Sequence, residues 1–370
     1  MNVLYVYKDY WPVVGGIENH IRILCNGLKA YPDIRPTVLV TNRGLRTSVE
    51  SIDGVRVIKA GRLATVSSAP ISLSLFGWLR RIDADITHLH FPYPIGELAY
   101  LAAGRSRKMV ITYHSDIVRQ KNLLRVYKPF LRRVLARADG ITVSSPQYIQ
   151  SSPYLRPLAS KCRVIPHGAD LSRFDPAPEV LARAAEARRR YGGGPLVLFV
   201  GVLRYYKGVS TLIEAMRHVG ATLLIVGQGP QGAEWRALAQ QLGLGDRAQF
   251  LGRVDDGELL ALYHACDVFV LPSIHRSESW GAVQIEAMAC GKPVVCTELG
   301  TGTSFVTLDE VTGLVVPPCD TEALSQAINR LLADPDLRAR LGQAGRERAE
   351  RELSAQVMVE RLVEWYRHIL

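Results

Sequence analysis

Short, unbroken apolar runs alternate with amphipathic stretches along the whole chain, and this alternation limits the possible folds more than any other feature. In the first half these runs predict strands at 3–7, 37–41, 86–90, 109–113, 140–144 and 162–166. In the second half they predict strands at 196–201, 222–227, 248–252, 268–273, 293–297 and 313–317. Strands that are apolar throughout are typical of parallel sheets covered by helices on both faces. The sequence therefore predicts an α/β fold with two doubly wound parallel-sheet domains.

The boundary between the two series of strands lies in a change of composition. Between Asp170 and Pro195 the chain passes through FDPAPE, a charged helix rich in Ala and Arg, and a YGGGP loop. We expect a first domain over 1–170 and a second over 171–353, and 370 residues suffice for two such cores. The periodic stretch 354–370 predicts a final helix, which we expect to pack back on the first domain.

Positive charge is concentrated in the first domain. Residues 1–170 carry 24 Lys or Arg against 11 Asp or Glu, whereas the remaining 200 residues carry 21 against 24. The densest basic stretch is a predicted helix at 119–137, with apolar residues at helical spacing. Such a helix either lies on an anionic membrane surface or packs on the core with its charged face in solvent. Nucleic acid is not an expected partner, because no recognition motif accompanies the charge.

Three features that the sequence lacks bear on where in the cell the protein is expected. The chain has no run of eighteen apolar residues and no secretory signal at its start, and its six cysteines show no metal-type spacing. We therefore expect a cytoplasmic protein, either free or peripheral on the inner face of the cell membrane.

Glycine and positive charge meet at the end of one predicted strand. In LFVGVLRYYKG the strand ends at Gly201, Arg204 and Lys207 follow, and a helix begins. Glycine backbone, a helix start and two cations suit the binding of a phosphate. A surface turn with two solvated cations would show the same residue pattern. The glycine turn at 225–230 lacks the third glycine and the acid of a dinucleotide fingerprint, which argues against a nicotinamide dehydrogenase.

Three strand-end loops in the first half are further candidates. The loop WPVVGGIENH places Gly15 and Gly16 before a helix that we expect to begin near Ile17, so it can approach a phosphate or a sugar. TYHSDIV places His114 and Asp116 just past a strand, where we expect both to face one cleft and His114 to bond a sugar hydroxyl or phosphate. The turn at 165–170 is either a similar site or an ordinary turn.

Two glutamates follow the strand at 268–273. Glu278 is expected in a loop and Glu286 nearly two turns inside a helix that begins about Trp280. With one carboxylate in the loop, the two can hold opposite ends of an extended ligand, and the helix N-terminus near Gly281 and Ala282 would face its phosphates. Carboxylates accept hydrogen bonds only, so they suit the paired hydroxyls of sugars.

The ordered set of these motifs resembles the retaining glycosyltransferases of family 4. SESWGAVQIEAMACGKPVV resembles that family's pair of glutamates separated by seven residues. The other matching segments, in chain order, are 15–16, 114–116, 166–170, 200–208, 226–230, 250–254, 269–273 and 312–318. The resemblance implies a GT-B fold, in which two Rossmann-like domains face a central cleft, the first binding the acceptor and the second the nucleotide-sugar.

The resemblance also implies roles for single residues. Glu286 would bind the ribose and Glu278 the transferred sugar, while Lys207 would neutralise the leaving phosphate. The backbone at 281–283 (Gly281, Ala282 and Val283) would bind the diphosphate, Gly16 would approach it, and His114 would contact the sugar near the reacting carbon. Where the family has Arg directly after the glycine matching Gly201, this chain has Val202, so Arg204 is the expected substitute.

The implied enzyme is a retaining hexosyltransferase. It would move a hexosyl group from GDP-mannose or a UDP-hexose to an acceptor hydroxyl of a cell-surface polysaccharide or glycolipid. The sequence shows no carboxylate triad for a metal, and no cofactor or metal is expected beyond the donor itself. The residues that bind the acceptor are unknown. The alternatives are a nucleotide-sugar 2-epimerase of the same fold and a nucleotide-sugar-binding module without turnover.

Overall fold

The computed structural model describes residues 1–13, 15–66, 69–117 and 121–370, with side chains throughout except at 121–126. The chain divides into two compact units. Unit 1 comprises Met1–Gly168 and Ala355–Leu370, and unit 2 comprises Ala169–Ser354. The sequence-based limits were 170 and 354.

Unit 1 is built on an eight-stranded sheet. Its strands are β1 (Asn2–Val6), β2 (Arg35–Thr41), β3 (Ser48–Ile52), β4 (Val55–Ala60), β7 (Ile86–Phe91), β8 (Lys108–Tyr113), β9 (Gly140–Val143) and β10 (Cys162–Val164), and a separate hairpin is formed by β5 (Ala64–Val66) and β6 (Ala69–Ile71). The order across the sheet is β10-β9-β8-β7-β1-β2-β4-β3. All pairs are parallel except β3 with β4. The strand order therefore reverses between β1 and β7, which is where ligands of such sheets bind.

Among the described residues, five α-helices connect the strands of unit 1. They are α1 (Gly16–Gly27), α2 (Ser74–Arg81), α3 (Pro94–Ala103), α4 (Lys121–Arg137) and α5 (Pro146–Ser151). The strands β7 and β9 are buried along their whole length, as expected for strands covered on both faces.

Unit 2 contains a six-stranded parallel sheet. Its strands are β11 (Leu196–Val200), β12 (Thr222–Val226), β13 (Ala248–Gly252), β14 (Val268–Leu271), β15 (Val294–Thr297) and β16 (Gly313–Val316). Its helices are α6 (Pro178–Arg190), α7 (Val209–Ala215), α8 (Gly232–Gln241), α9 (Asp256–Ala265), α10 (Val283–Ala289), α11 (Thr303–Val306), α12 (Thr321–Ala333) and α13 (Pro335–Glu352). The order β13-β12-β11-β14-β15-β16 places the reversal between β11 and β14. The predicted α/β fold with two parallel sheets is confirmed.

The last helix, α14 (Ala355–Ile369), belongs to unit 1 rather than to the unit that precedes it in sequence. Its close approach requires glycine on the partner elements, because a Cβ on Gly27 would lie 2.5 Å from Val359 and one on Gly140 would lie 2.3 Å from the Trp365 ring. The Tyr366 hydroxyl bonds both His88 and Tyr5 in the core of unit 1. Unit 1 is therefore assembled from both ends of the chain.

The hairpin of β3 and β4 was missed by the sequence analysis. Four of the five residues of β3 are exposed, so this strand has no apolar run to reveal it. The turn between the strands contains Asp53 (φ 51°) and Gly54 (φ 75°). An Asp-Gly pair of this kind is a strong hairpin signal and could have identified the two strands.

The described part of α4 shows that the apolar face of the basic helix packs on the core, which was one of the two interpretations of this helix. Its apolar residues Tyr127, Leu131, Val134 and Leu135 are buried in the core of unit 1. Its basic residues from 128 onward are exposed. The apolar face is therefore occupied by the core, and residues 119 and 120 of the predicted helix lie outside the described residues. In the described part of the chain, the helices are all too short or too polar to cross a membrane.

Candidate functional site

Two glycine loops meet beyond the carboxyl ends of β11 and β12. Gly227 adopts a φ of 133°, and a Cβ there would lie 1.9 Å from the carbonyl oxygen of Gly201. A Cβ on Gly229 would similarly lie within 2.7 Å of the Leu203 backbone. The backbones are cross-linked by Leu203 N–H donating to the Gln228 carbonyl at 3.0 Å. Glycine is thus needed for the close contact of these loops, and the contact fixes the segment that carries Arg204 and Lys207.

Lys207 and Glu278 form a buried ion pair at the reversal point of this sheet. Lys207 ends the loop after β11, and Glu278 lies in the loop after β14. The Nζ of Lys207 lies 2.5 Å from Oε2 of Glu278, and the two side chains are only 11% and 10% exposed. Ser273 Oγ donates to the same carboxylate oxygen at 3.2 Å. A pair so shielded from water is held in one arrangement, and losing one partner leaves the other as an uncompensated buried charge.

Glu286 has a separate partner. Tyr263, on α9, donates its hydroxyl to Oε2 of Glu286 at 2.8 Å. Burial raises the pKa of Glu286, and the hydrogen bond from Tyr263 opposes this shift. The carboxylate is half-buried, so its second oxygen can still accept hydrogen bonds from a ligand.

The helix that carries Glu286 begins later than expected. The first residue of α10 is Val283, whereas the sequence indicated a start near Trp280, so Glu286 lies in the first turn and not nearly two turns inside. Gly281 has a φ of 73°, and a Cβ there would lie 2.5 Å from Leu271. This turn delays the helix, and it leaves Ala282 exposed between the two glutamates.

Arg204 and Val202 differ from Lys207 in their surroundings. Both side chains are exposed, whereas Lys207 is buried. Lys207 also lies against Gly201, because a Cβ on Gly201 would be 3.6 Å from the Lys207 Nζ. The cation with a defined position at the end of β11 is therefore Lys207.

Unit 1 presents the glycine pair at the start of α1. Gly16 is the first residue of α1, one position before the expected start, and a Cβ there would meet nothing within 4 Å. A Cβ on Gly15 would lie 2.2 Å from a carboxylate oxygen of Glu18. A side chain at Gly15 would therefore only displace the flexible end of Glu18, whereas the space beside Gly16 is already open to another group.

His114 lies in a group with two other buried histidines and the half-buried His167. It follows β8, and its Nε2 lies 2.9 Å from Nδ1 of His90, near the end of β7. His20, on α1, and His167, after β10, are close by, with ring centroids 5.2 and 5.0 Å from that of His114. Burial lowers the pKa of all four rings, that of His167 to about 4. The four rings are therefore neutral near pH 7.

Asp116, which we expect to face one cleft with His114, forms hydrogen bonds with the turn after β8 and with α5. Its Oδ1 accepts hydrogen bonds from Tyr113 at 2.7 Å and from Ser152 at 2.8 Å. Its backbone N–H donates to the Tyr148 hydroxyl at 3.1 Å. Asp116 therefore fixes the turn after β8 against α5.

Several residues at these positions were missed by the sequence analysis. They are His20, His90, Tyr263 and Ser273. The alternation of His88 and His90 in ITHLHF was an available signal, because residues two apart on a strand share a face. Tyr263 had no such signal, since only the packing of α9 brings it to Glu286.

Two family models match the chain. Residues 14–173 match the family described as Glycosyltransferase Family 4, and residues 183–348 match the one described as Glycosyl transferases group 1. The two matches lie largely within unit 1 and unit 2, respectively.

Relatives and solved structures match over the whole chain. O-antigen chain mannosyltransferase C of Escherichia coli is 38% identical and covers 100% of this chain and 99% of its own. D-rhamnosyltransferase WbpZ of Pseudomonas aeruginosa is 38% identical over 93% of this chain and 90% of its own. Sucrose-phosphate synthase from Thermosynechococcus elongatus matches in structure with a TM-score of 0.81 and 28% identity, covering 100% of this chain and 98% of its own.

Proposed function

The chain belongs to the group 1 glycosyltransferases of family 4 type, with a GT-B fold, and on this premise we propose that it transfers a manno-configured hexosyl group. The donor would be a nucleoside-diphosphate sugar, and the acceptor a hydroxyl group of a growing cell-surface polysaccharide. The transfer would retain the configuration at the anomeric carbon.

The observation that carries this proposal is the buried pair of Lys207 and Glu278 at the reversal point between β11 and β14. Ligands of doubly wound sheets bind beyond the carboxyl strand ends at this point. A cation suits the leaving phosphate, and a carboxylate suits sugar hydroxyls. This one contact thus brings together a group suited to the phosphate and a group suited to the sugar of a nucleotide-sugar.

In this mechanism Glu286 accepts hydrogen bonds from the ribose hydroxyls, and Tyr263 holds its carboxylate in place. Glu278 accepts from hydroxyls of the transferred sugar while it orients Lys207. The backbone N–H groups of Gly281, Ala282 and Val283 face the diphosphate. We assign Gly16 and His114 to further contacts with the donor, as the family resemblance implies.

The chemical step breaks the bond between C1 of the sugar and the phosphate oxygen and forms a bond from C1 to the acceptor oxygen on the same face. The proton of the acceptor hydroxyl passes to the leaving phosphate oxygen, so no protein base is needed. Lys207 stabilises the negative charge that grows on this phosphate, with Arg204 as a second, exposed cation. Removing one such donor costs roughly 3–4 kcal/mol of barrier.

The sugar class is inferred from the relatives' names. One is named for mannose and the other for D-rhamnose, which is 6-deoxymannose. Both sugars carry an axial hydroxyl at C2. We therefore expect a site that accepts the manno configuration, with GDP-mannose preferred over UDP-hexoses as donor.

Membrane association belongs to the same proposal. The exposed basic residues of α4 would attract an anionic surface, at about 1 kcal/mol for each residue near it. Because its buried apolar residues are held in the core, this contact would be electrostatic and not an insertion.

The test is a panel of nucleotide-sugars with a lipid-linked saccharide acceptor, followed by product analysis and NMR assignment of the new anomeric centre. We expect transfer from GDP-mannose with retention, little transfer from UDP-glucose, and loss of transfer in Lys207→Ala. Formation of a C2 epimer from the donor alone would favour the epimerase. Donor binding without any turnover would favour the binding module, and an inverted product would overturn the stereochemical assignment.

A further inference from the structure

The loop that follows β15 holds the segment of Glu278 by its backbone. Thr301 Oγ1 donates to the carbonyl oxygen of Glu278 at 2.8 Å, and the N–H of Gly302 donates to the carbonyl of Ser279 at 2.8 Å. The two loops lie so close that a Cβ on Gly302 would be 2.4 Å from the Trp280 ring. Thr301 is fully buried, so we expect it to act through Glu278 and not on a ligand directly.

The carboxylate of Glu278 is held separately, through one of its two oxygens. Lys207 Nζ and Ser273 Oγ both contact Oε2, at 2.5 and 3.2 Å. Among the residues that the structure describes, none bonds Oε1. Because a carboxylate oxygen accepts hydrogen bonds, Oε1 is the atom of Glu278 that is available to the hydroxyls of a sugar.

Buried hydroxyl groups connect the backbone anchor of Glu278 to the anchor of its carboxylate. Thr297, at the end of β15, donates to the Ser273 carbonyl, and Thr303 Oγ1 donates to the Thr297 carbonyl at 2.9 Å. These three residues and Thr301 are at most 2% exposed. Valine would fill the volume of each threonine, but it would leave a buried carbonyl without its donor. The threonine hydroxyls therefore fix the two loops against each other around Glu278.

We propose that Thr301 is a positioning residue for sugar transfer, which fixes Glu278 so that its Oε1 meets the hydroxyls of the transferred sugar. This inference rests on the proposed function, since it takes the ligand of Oε1 to be a sugar. With the backbone held by Thr301 and Oε2 held by Lys207, the carboxylate has one position before the donor binds. Groups preorganised in this way need no rearrangement during the reaction, and a displacement of about 1 Å can cost about a hundredfold in rate.

The experiment compares Thr301→Val with Thr301→Ser in the full chain. We expect Thr301→Val to lower kcat/KM for transfer from GDP-mannose about ten- to a hundredfold, while the Kd for GDP, measured by calorimetry, changes less than about twofold. GDP keeps the contacts that we assign to Glu286 and lacks the sugar that we assign to Glu278. Thr301→Ser retains the hydroxyl and should keep kcat/KM within about threefold of wild type.

The matched control is Thr312→Val. Thr312 is 1% exposed, and its hydroxyl accepts the Leu308 N–H at 2.8 Å. It lies at the amino end of β16, whereas the donor site lies beyond the carboxyl ends of the strands of the same sheet. This variant should lose stability in thermal unfolding and leave kcat/KM unchanged.

Hydrogen exchange provides a measurement that does not need activity. The Glu278 N–H donates to the His275 carbonyl at 2.9 Å, and we expect it to exchange at least about tenfold faster in Thr301→Val than in wild type. Circular dichroism checks that each variant is folded. Thr301→Ala, which also lacks the hydroxyl, takes the place of Thr301→Val should the latter not fold.

The outcomes separate the positioning role from the proposed function. Unchanged exchange of the Glu278 N–H, near-normal kcat/KM, or an equal loss of GDP affinity and kcat/KM in the folded variant without the hydroxyl would each overturn the role of Thr301. If wild type transfers no sugar from any nucleotide-sugar, the proposed function is wrong. The exchange of the Glu278 N–H then still decides whether Thr301 fixes this residue.

Discussion

Glu97 offers a quantitative test of how burial shapes unit 1. It lies on α3 with only 1% of its surface exposed. Its Oε1 accepts the Tyr93 N–H at 2.7 Å, and its Oε2 accepts the Tyr127 hydroxyl. Burial raises the pKa of this carboxyl from 4.5 to about 8, against the opposing effect of the Tyr93 hydrogen bond. Glu97 is therefore mostly protonated at neutral pH in the folded protein.

The sign of the pH dependence follows from this direction. A folded pKa above the unfolded one means that the folded state binds the proton more tightly. The resulting stabilisation is fully present below about pH 4.5 and is lost as pH rises through 8. A shift from 4.5 to about 8 corresponds to about 5 kcal/mol, at 1.36 kcal/mol for each pKa unit. Between pH 5 and pH 8 the loss should amount to about 4 kcal/mol.

Glu97→Gln removes this ionisation and keeps the size and the hydrogen-bonding groups of the side chain. We expect the stability of wild type relative to this variant to fall by several kcal/mol between pH 5 and pH 9. Urea unfolding at each pH, with hydrogen exchange of β8 as the reporter of unit 1, measures the difference, because intrinsic exchange rates cancel between two proteins at one pH. Glu364→Gln, at an exposed position on α14, is the control. A difference between wild type and Glu97→Gln that stays constant within about 0.5 kcal/mol would refute the reasoning.

Three further predictions follow from the same structure. Lys207→Ala and Glu286→Gln should each lower turnover by orders of magnitude, because each removes a group that we assign to donor binding. Steady-state kinetics test this at a temperature where circular dichroism shows that the variants are folded. Near-normal rates in either variant would contradict the assignment. Gly140→Ala should destabilise the protein by about 1–3 kcal/mol, because the added Cβ would lie 2.3 Å from the Trp365 ring. Gly77→Ala should instead stabilise the protein by up to about 1 kcal/mol, because Gly77 lies inside α2 with open space around it. Thermal unfolding compares the two glycine variants, and equal effects would contradict the packing of α14. The chain should bind anionic liposomes through α4 and lose this binding at raised salt; equal binding to neutral liposomes would exclude an electrostatic contact.

Much of the fold was predictable because parallel strands buried on both faces are apolar without interruption. All twelve predicted strands are present, with ends that differ from the prediction by at most two residues. Three of the four missed strands, β3, β5 and β6, are short or exposed and so have no long apolar run, whereas β4 is mostly buried and its apolar residues were overlooked. The late start of α10 was not predictable either, since it depends on the packing of Gly281 against Leu271.

Local patterns of glycine and apolar runs mark the ends of loops and strands, and they were enough to place four chemical groups at or after strand ends: Lys207, Glu278, Glu286 and His114. Which of these groups are in contact depends on the folded arrangement of the strands. Lys207 meets Glu278 because β11 and β14 are neighbours in the sheet, although 71 positions in the chain separate their paired residues Val197 and Val268. His114 meets His90 and His20 for the same reason, since β7 lies between β1 and β8. Strand order is set by long-range packing of the whole sheet, and no local pattern in the residues records it.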